Sequence, residues 1–278
     1  MKNIIIVKSR SATFKYIGIA SENNSEKKMK LTVDIGNTAV KIAVFDGGEI
    51  LYRRREEQWS DEVAAEVVAE YRPTGAIVSS TRSLGNEVAA SITKAMAEAG
   101  YEAPVMVFRG DTPTPLRNGY ATPETLGPDR LAAAVGGAAL FPGENLLIID
   151  FGTAITYDLV SADGVYLGGN IAPGMDMRYQ SLHRSAAFLP LEEGDTTGRC
   201  GEKIGKKTAE AIKLGVIDGI CYETEGYIRN WTERYKKIVT IFTGGDAKCF
   251  EKKIKTPIFA ELDLVCIGLN KILEYNAF

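Results

Sequence analysis

Two short turns carry the residues best suited to hold an anion, Asp34-x-Gly36-x-Thr38 and Asp150-x-Gly152-Thr153. A glycine at such a tip removes the Cβ, so that a phosphate can approach exposed main-chain N–H groups, and the threonine hydroxyl adds a donor. The aspartate repels phosphate and has to work through a cation or water. One Asp-Gly turn is commonplace in β-structure; two at equivalent points of a repeat suit a polyphosphate gripped from both sides. A third element, Thr243-Gly244-Gly245-Asp246-Ala247, follows the apolar run IVTIF. Its glycines would let the backbone lie flat against a base or ribose, although alone it reads as a plain strand-to-helix turn. A fourth, Gly127-Pro128-Asp129-Arg130, puts a carboxylate and a guanidinium in the first turn of a helix, where the dipole favours the ionised acid and backbone amides are free. An acid there ordinarily stabilises its own helix by about 0.3–1 kcal/mol. The phosphate-holding turns are what give it a further reading.

Other chemistries are excluded by residue type. Gly201–Thr208, GEKIGKKT, lacks one spacer residue of a P-loop and has Lys207 where Ser or Thr should follow the lysine, and no G-x-G-x-x-G is present. The single histidine, His183, rules out a two-histidine zinc site and lies in a helical pattern where it reads as a satisfied structural residue. Cys200, Cys221, Cys249 and Cys266 form no C-x-x-C pair and read as reduced thiols rather than a disulfide framework or a metal site. With 33 Lys+Arg against 36 Asp+Glu, a net charge of -3 and no basic stripe, no nucleic acid is expected as main partner. No apolar window approaches the ~18 residues of a membrane span, so no membrane is expected either. The chemistry is left to carboxylates, hydroxyls, backbone amides and a hard cation held by oxygens.

The elements that must position these residues follow from periodicity. Leu31, Val33 and Ile35 alternate, as do Val40, Ile42 and Val44, so two strands flank the first turn; EILYRRR follows Asp46-Gly47-Gly48 as a third. Val63, Val67, Val68 and Tyr71 recur at helical spacing between an N-cap at Ser60 and Pro73. AIVSS, the helix marked by Leu84, Val88, Ile92 and Met96, and VMVF complete the first half. A Pro/Thr/Gly-rich loop, 110–127, leads to a helix starting at Pro128, whose packing stripe would be Leu131, Val135 and Ala139. LLIIDFGTAITYDLVSADGVYLGG then repeats the opening strand-turn-strand arrangement. This internal repeat predicts two similar α/β lobes facing each other, 29–143 and 144–278. Residues 1–28, with the polar stretch SENNSEKK before Met29, read as an extraneous or flexible extension: either a short extra strand and tail, or a gene-boundary artefact with translation starting at Met29.

In this order, DIGNTAVKIAVF, GPDR, DFGTAITYD, GGNIAPG and TGGDA resemble the type III pantothenate kinases, within the sugar kinase, heat-shock chaperone and actin superfamily. The resemblance implies two ribonuclease H-like lobes with a nucleotide cleft between them, and transfer of phosphate from ATP to pantothenate in the cytoplasm, the entry to coenzyme A. By position it implies that Asp34, Gly36, Asn37, Thr38, Lys41, Thr153, Gly244 and Gly245 bind ATP. Asp129 is then the base for the pantothenate hydroxyl, in a pocket of Tyr120, Gly127, Pro128, Asp129, Arg130 and Thr208. Asp150 would hold a monovalent cation, potassium or ammonium, and Asp34 would help place magnesium. Lys207 stands where the family usually has a small polar residue before that threonine. A homodimer is also implied, its contact drawn from the helix after Gly174 with Met175, Met177, Tyr179 and Leu182. The competing readings are a non-catalytic ATP-binding regulator on the same scaffold and another small-molecule kinase.

Overall fold

The computed structural model describes residues 28–276, so the reading of the leading segment lies outside the described residues except at Lys28. The first sheet is an antiparallel meander, β1 (Met29–Ile35), β2 (Val40–Asp46) and β3 (Glu49–Glu56), extended by β4 (Gly75–Ser80) and β5 (Val105–Val107), which run parallel to β1. Its order is β3-β2-β1-β4-β5. Parallel strands need crossovers, supplied by α1 (Asp61–Tyr71) and α2 (Gly85–Glu98). Ser60 caps α1 through its hydroxyl, which accepts from Val63 N–H at 3.4 Å, and Arg72 takes a left-handed φ of 44° just before Pro73.

The chain then forms β6 (Arg117–Asn118) and α3 (Pro128–Leu140), which close the first half. It continues through β7 (Leu146–Phe151), β8 (Ala154–Val160), β9 (Val165–Pro173), α4 (Met175–Ser185), α5 (Thr208–Tyr235), β10 (Val239–Thr243), α6 (Ala247–Glu251), β11 (Phe259–Ala260) and α7 (Leu264–Tyr275). The sheet order β11-β10-β7-β8-β9-β6 contains the pattern of the first sheet, a meander of three strands with two parallel ones beyond its first. The internal repeat read from the sequence is therefore a repeat of topology. β6 is added to it at the β9 edge.

Leu31, Val33 and Ile35 are buried against α1 and α2, while Ala43 and Phe45 meet Cys266 of α7 on the opposite face. In β7, Leu147, Ile149 and Phe151 pack under α4, α5 and α6, and Leu146 and Ile148 face α3. Both sheets are covered twice, hence the unbroken apolar run LLII. The helices closing each half are exchanged: α3 lies on β7 and β8, and α7 on β1, β2 and β4. Where α3 and α7 cross, their backbones touch. A Cβ on Gly268 would stand 1.8 Å from the Ala132 carbonyl oxygen, and one on Gly136 2.3 Å from that of Leu264.

Two expectations change. The stripe Leu131, Val135 and Ala139 is not how α3 packs: every residue from Arg130 to Gly137 is buried and Ala139 is exposed, because the helix is wedged between a sheet and α7. Cys200 and Cys221 are joined in a disulfide, not reduced, since the connection before α5 folds back onto that helix and brings their Cα atoms to 6.4 Å. Cys249 and Cys266 are free. His183 lies in α4, exposed, with Nδ1 2.8 Å from the Leu189 carbonyl oxygen, a satisfied structural residue as read. Among the described residues no helix is long and apolar enough to cross a membrane.

Gly268→Ala should lower unfolding free energy by about 1–3 kcal/mol or more, because two helix backbones would have to separate. Gly226→Ala on α5, with open space at its Cβ, should instead gain about 0.5–1 kcal/mol. Equal denaturant midpoints for the two variants would show that the crossing does not constrain the fold.

Candidate active site

The two Asp-Gly turns meet at the mouth of a cleft of about 530 Å³ between the sheets. Gly36 N–H donates to the Ala39 carbonyl at 3.0 Å, closing the first turn. Across the cleft, the hydroxyls of Thr38 and Thr153 stand 2.9 Å apart, residues 115 positions distant in the chain. Two antiparallel hairpins of equivalent topology thus present their tips to one another, each with hydroxyl and amide donors.

Behind the tips the strand ends carry acids. Asp34, next to last in β1, is 5% exposed, and its Oδ1 has no hydrogen-bond partner among the described residues. Burial pushes its pKa up to about 7, opposed by Lys41 and reinforced by Asp129 and Asp150. Burial likewise lifts Asp150 to about 6, with Lys41 again opposing. Asp129 is raised mainly by burial, and the Arg130 N–H that donates to its Oδ1 at 2.9 Å counteracts this. Gly127 permits that fold-back, for a Cβ there would lie 2.6 Å from the same oxygen. The base that Asp150 lacks in its own turn thus comes from the other lobe, as Lys41. Gly244 has φ +94°, and a Cβ on it would lie 2.4 Å from Asp150 Oδ1. The Gly-Gly turn is therefore pressed onto that carboxylate, and Gly245 alone keeps free space beside it.

Arg130 is 6% exposed and gripped by Asp158 of β8: Nη2 donates to Oδ1 at 2.6 Å and Nε at 3.0 Å. Tyr166 donates to the same oxygen at 2.7 Å, and the guanidinium carbon sits 5.8 Å from the centre of the Tyr120 ring. Burial, then Asp158, pushes the Tyr166 hydroxyl upward, so it remains a donor. The network holds the first turn of α3, and Asp129 with it, against the second sheet. Within the motif DFGTAITYD, Asp158 is the residue whose role the sequence reading does not supply. The signal was its period of two from Thr156, which lines the cleft, on a strand whose other residues are mostly apolar.

Asp34, Gly36, Asn37, Thr38, Lys41, Asp129, Arg130, Asp150, Thr153, Gly244 and Gly245 all line this one cleft. Tyr120, Gly127 and Pro128 do not; they support it, the first against Arg130 and the others as the start of α3. Thr208 is elsewhere. As the first residue of α5 it lines, within this chain, a separate apolar groove with Arg178, Leu182 and Ile212. Arg55, Asp176 and Asp246 also line the cleft and were not foreseen. The donor set fits a hard cation: two carboxylates crowded at the strand ends, one with a buried unpartnered oxygen, beside threonine hydroxyls.

A family model described as type III pantothenate kinase matches residues 30–230. The chain is 41% identical over 248 residues to a type III pantothenate kinase of Bacteroides fragilis (strain ATCC 25285), covering 89% of this chain and 98% of that protein. With a type III pantothenate kinase of Cytophaga hutchinsonii the identity is 37% over 248 residues, 89% of this chain and 100% of the other. A solved structure from Campylobacter jejuni, described as a conserved Baf family transcriptional activator, superposes with a TM-score of 0.52 at 18% identity over 88% of this chain and 97% of its own, a likeness of fold alone.

The raised carboxylates fix a pH dependence. Asp34 and Asp150 hold protons in the folded state that the unfolded chain has released, so stability contributed below about pH 4 is lost as pH rises to about 7. Magnesium binding at ionised Asp34 should raise the melting temperature more at pH 8 than at pH 5, and Asp34→Asn should flatten that difference. Equal magnesium shifts at both pH values in the wild type would contradict the site.

Proposed function

The chain belongs to the type III pantothenate kinases, which phosphorylate pantothenate at the expense of ATP and a divalent metal in the first step of coenzyme A synthesis, and we propose that it does so in the cleft between the two hairpin tips. The observation that carries this reading is the convergence of both phosphate turns, through Thr38 and Thr153, on the helix start that bears Asp129. In that reading Gly36, Asn37, Thr38, Lys41 and Thr153 receive the phosphates, with Gly244 and Gly245 flanking the nucleotide. Asp34 would hold magnesium, which when bound neutralises charge on the transferring phosphoryl group.

Phosphoryl transfer proceeds through a loose transition state, so the protein has mainly to place the acceptor oxygen in line and supply positive charge. Asp129 orients the pantothenate primary hydroxyl and takes its proton late, as the oxygen bonds to phosphorus; its raised pKa suits a base that must accept that proton. Arg130, fixed by Asp158, supplies the cationic wall of the acceptor pocket beside Tyr120, Gly127 and Pro128. Asp150 would hold potassium or ammonium against the nucleotide.

A homodimer and a cytoplasmic location complete the proposal. Met177 and Leu182 of α4 are exposed apolar residues, Met177 at 44%, and Leu182 borders the groove at Thr208. That face supports a subunit contact, and Thr208 would then reach pantothenate only in the assembled dimer. A non-catalytic regulator is not favoured, since it has no use for an acid lodged beside two phosphate turns. Nor does any observation favour another small-molecule kinase.

Asp129→Asn should leave ADP affinity nearly unchanged while turnover falls about 10²–10⁴-fold, the range for loss of a positioned proton acceptor. Retention of more than about a third of wild-type turnover, in a coupled ADP-release assay, would remove Asp129 from the mechanism. Activity should also rise when sodium is replaced by potassium or ammonium, and Asp150→Asn should lose that response. Equal rates with both ions rigorously removed would leave Asp150 as a second magnesium-organising acid.

A further inference from the structure

The three strands of the first meander carry a row of charges. Asp34 on β1 lies opposite Lys41 on β2, and Lys41 opposite Arg55 on β3. Directly paired residues of antiparallel strands point to the same face, so the three side chains form one line. Exposure rises along it, from buried Asp34 through half-buried Lys41 to exposed Arg55 at the sheet edge. The equivalent row of the second lobe is Asp150, Thr156 and Ile171, which carries no cation.

Arg55 differs from its neighbours. Arg53 is paired with Asp263 at 2.8 Å and Arg54 with Glu66 at 2.6 Å, whereas Arg55 makes no ion pair within 4.0 Å among the described residues. Its Nη1 stands 4.0 Å from where a Cβ on Gly245 of the other lobe would lie, and nothing else comes closer to that point. Gly245 has no positive φ, and a Cβ there would meet only the Arg55 guanidinium, at ordinary contact distance, so this turn of the second lobe lies directly beneath Arg55. Three cations line the cleft. Arg130 is held by Asp158, and Lys41 faces both Asp34 and Asp150. Only Arg55 keeps its whole fork available, with Asp246 of the second lobe as a longer-range attraction.

We propose that Arg55 is a nucleotide-binding residue that clamps the non-transferred phosphates of the nucleotide from the first lobe against the Gly244–Gly245 turn of the second. Two features assign it to this end of the phosphate chain. It is the member of the row farthest from Asp34, whose nearest acidic neighbours are Asp129 and Asp150, so the transferring phosphate belongs at the other end. It also faces the turn that flanks the nucleotide rather than the acceptor helix. A guanidinium fork matches phosphate oxygens bidentately, which a lysine cannot do. The inference rests on the nucleotide site described under the proposed function.

Calorimetric titration of the full chain with magnesium-ADP and with adenosine tests it, in the wild type, Arg55→Gln and Arg55→Lys. Arg55→Gln should weaken ADP about tenfold and leave adenosine within about twofold, with Arg55→Lys in between because charge is kept and the fork lost. The KM for ATP should rise in parallel while that for pantothenate stays, and the melting temperature should not move, since the side chain is exposed and unpaired. ADP affinity unchanged in Arg55→Gln, or adenosine weakened as much as ADP, would overturn the assignment alone. A wild type that binds no ADP would overturn the nucleotide site and this assignment with it.

Discussion

The contact between the backbones of α3 and α7 is the constraint on which the rest depends. Ala132 and Gly268 approach so closely that no side chain fits between them, and Gly136 and Leu264 repeat the contact one turn on. Each helix lies on the sheet of the opposite lobe, so the crossing fixes how the lobes face one another. Asp129 and Arg130 begin one of these helices, and Asp34 lies near the end of a strand under the other. The distance between Asp129 and the two Asp-Gly turns is thus set by packing of small residues some way from them.

Electrostatics around the cleft show the same division between holding and acting. Arg130 and Asp158 are both nearly inaccessible, a pairing that survives burial because Tyr166 and the tilted Tyr120 ring complete it. It fixes the helix start without needing a ligand. Asp34, Asp129 and Asp150 are different: burial lifts all three, and their mutual repulsion leaves them dependent on cations from outside the chain or from Lys41. In the proposed reading, the cations that accompany the nucleotide would relieve this repulsion.

The topology was legible because it is written in local patterns. Alternation in LTVDIG and VKIAVF, the cap at Ser60 and the second Asp-Gly turn are properties of neighbouring residues, and repetition of one pattern told of two lobes. Positions lining the cleft were legible wherever glycine, threonine and aspartate share a turn. Arg55 carried no such mark. It stands among three consecutive arginines, and only the register between β2 and β3 distinguishes it from Arg53 and Arg54. Thr208 was assigned by position in a motif, and the fold puts it on another surface.

The sequence by itself therefore determined the longer strands, the cap at Ser60, the two Asp-Gly turns and the acid at the start of α3, since each depends on residues within a few positions of one another. Tertiary structure alone decided which charges meet. Arg130 finds Asp158 28 positions away, Lys41 of one lobe answers Asp150 of the other, and Cys200 reaches Cys221 through a folded-back loop. α3, buried on every side, shows the same limit, because a helix's exposed face is defined by what packs on it. Coulomb forces and burial act through space, and distance along the chain carries no record of them.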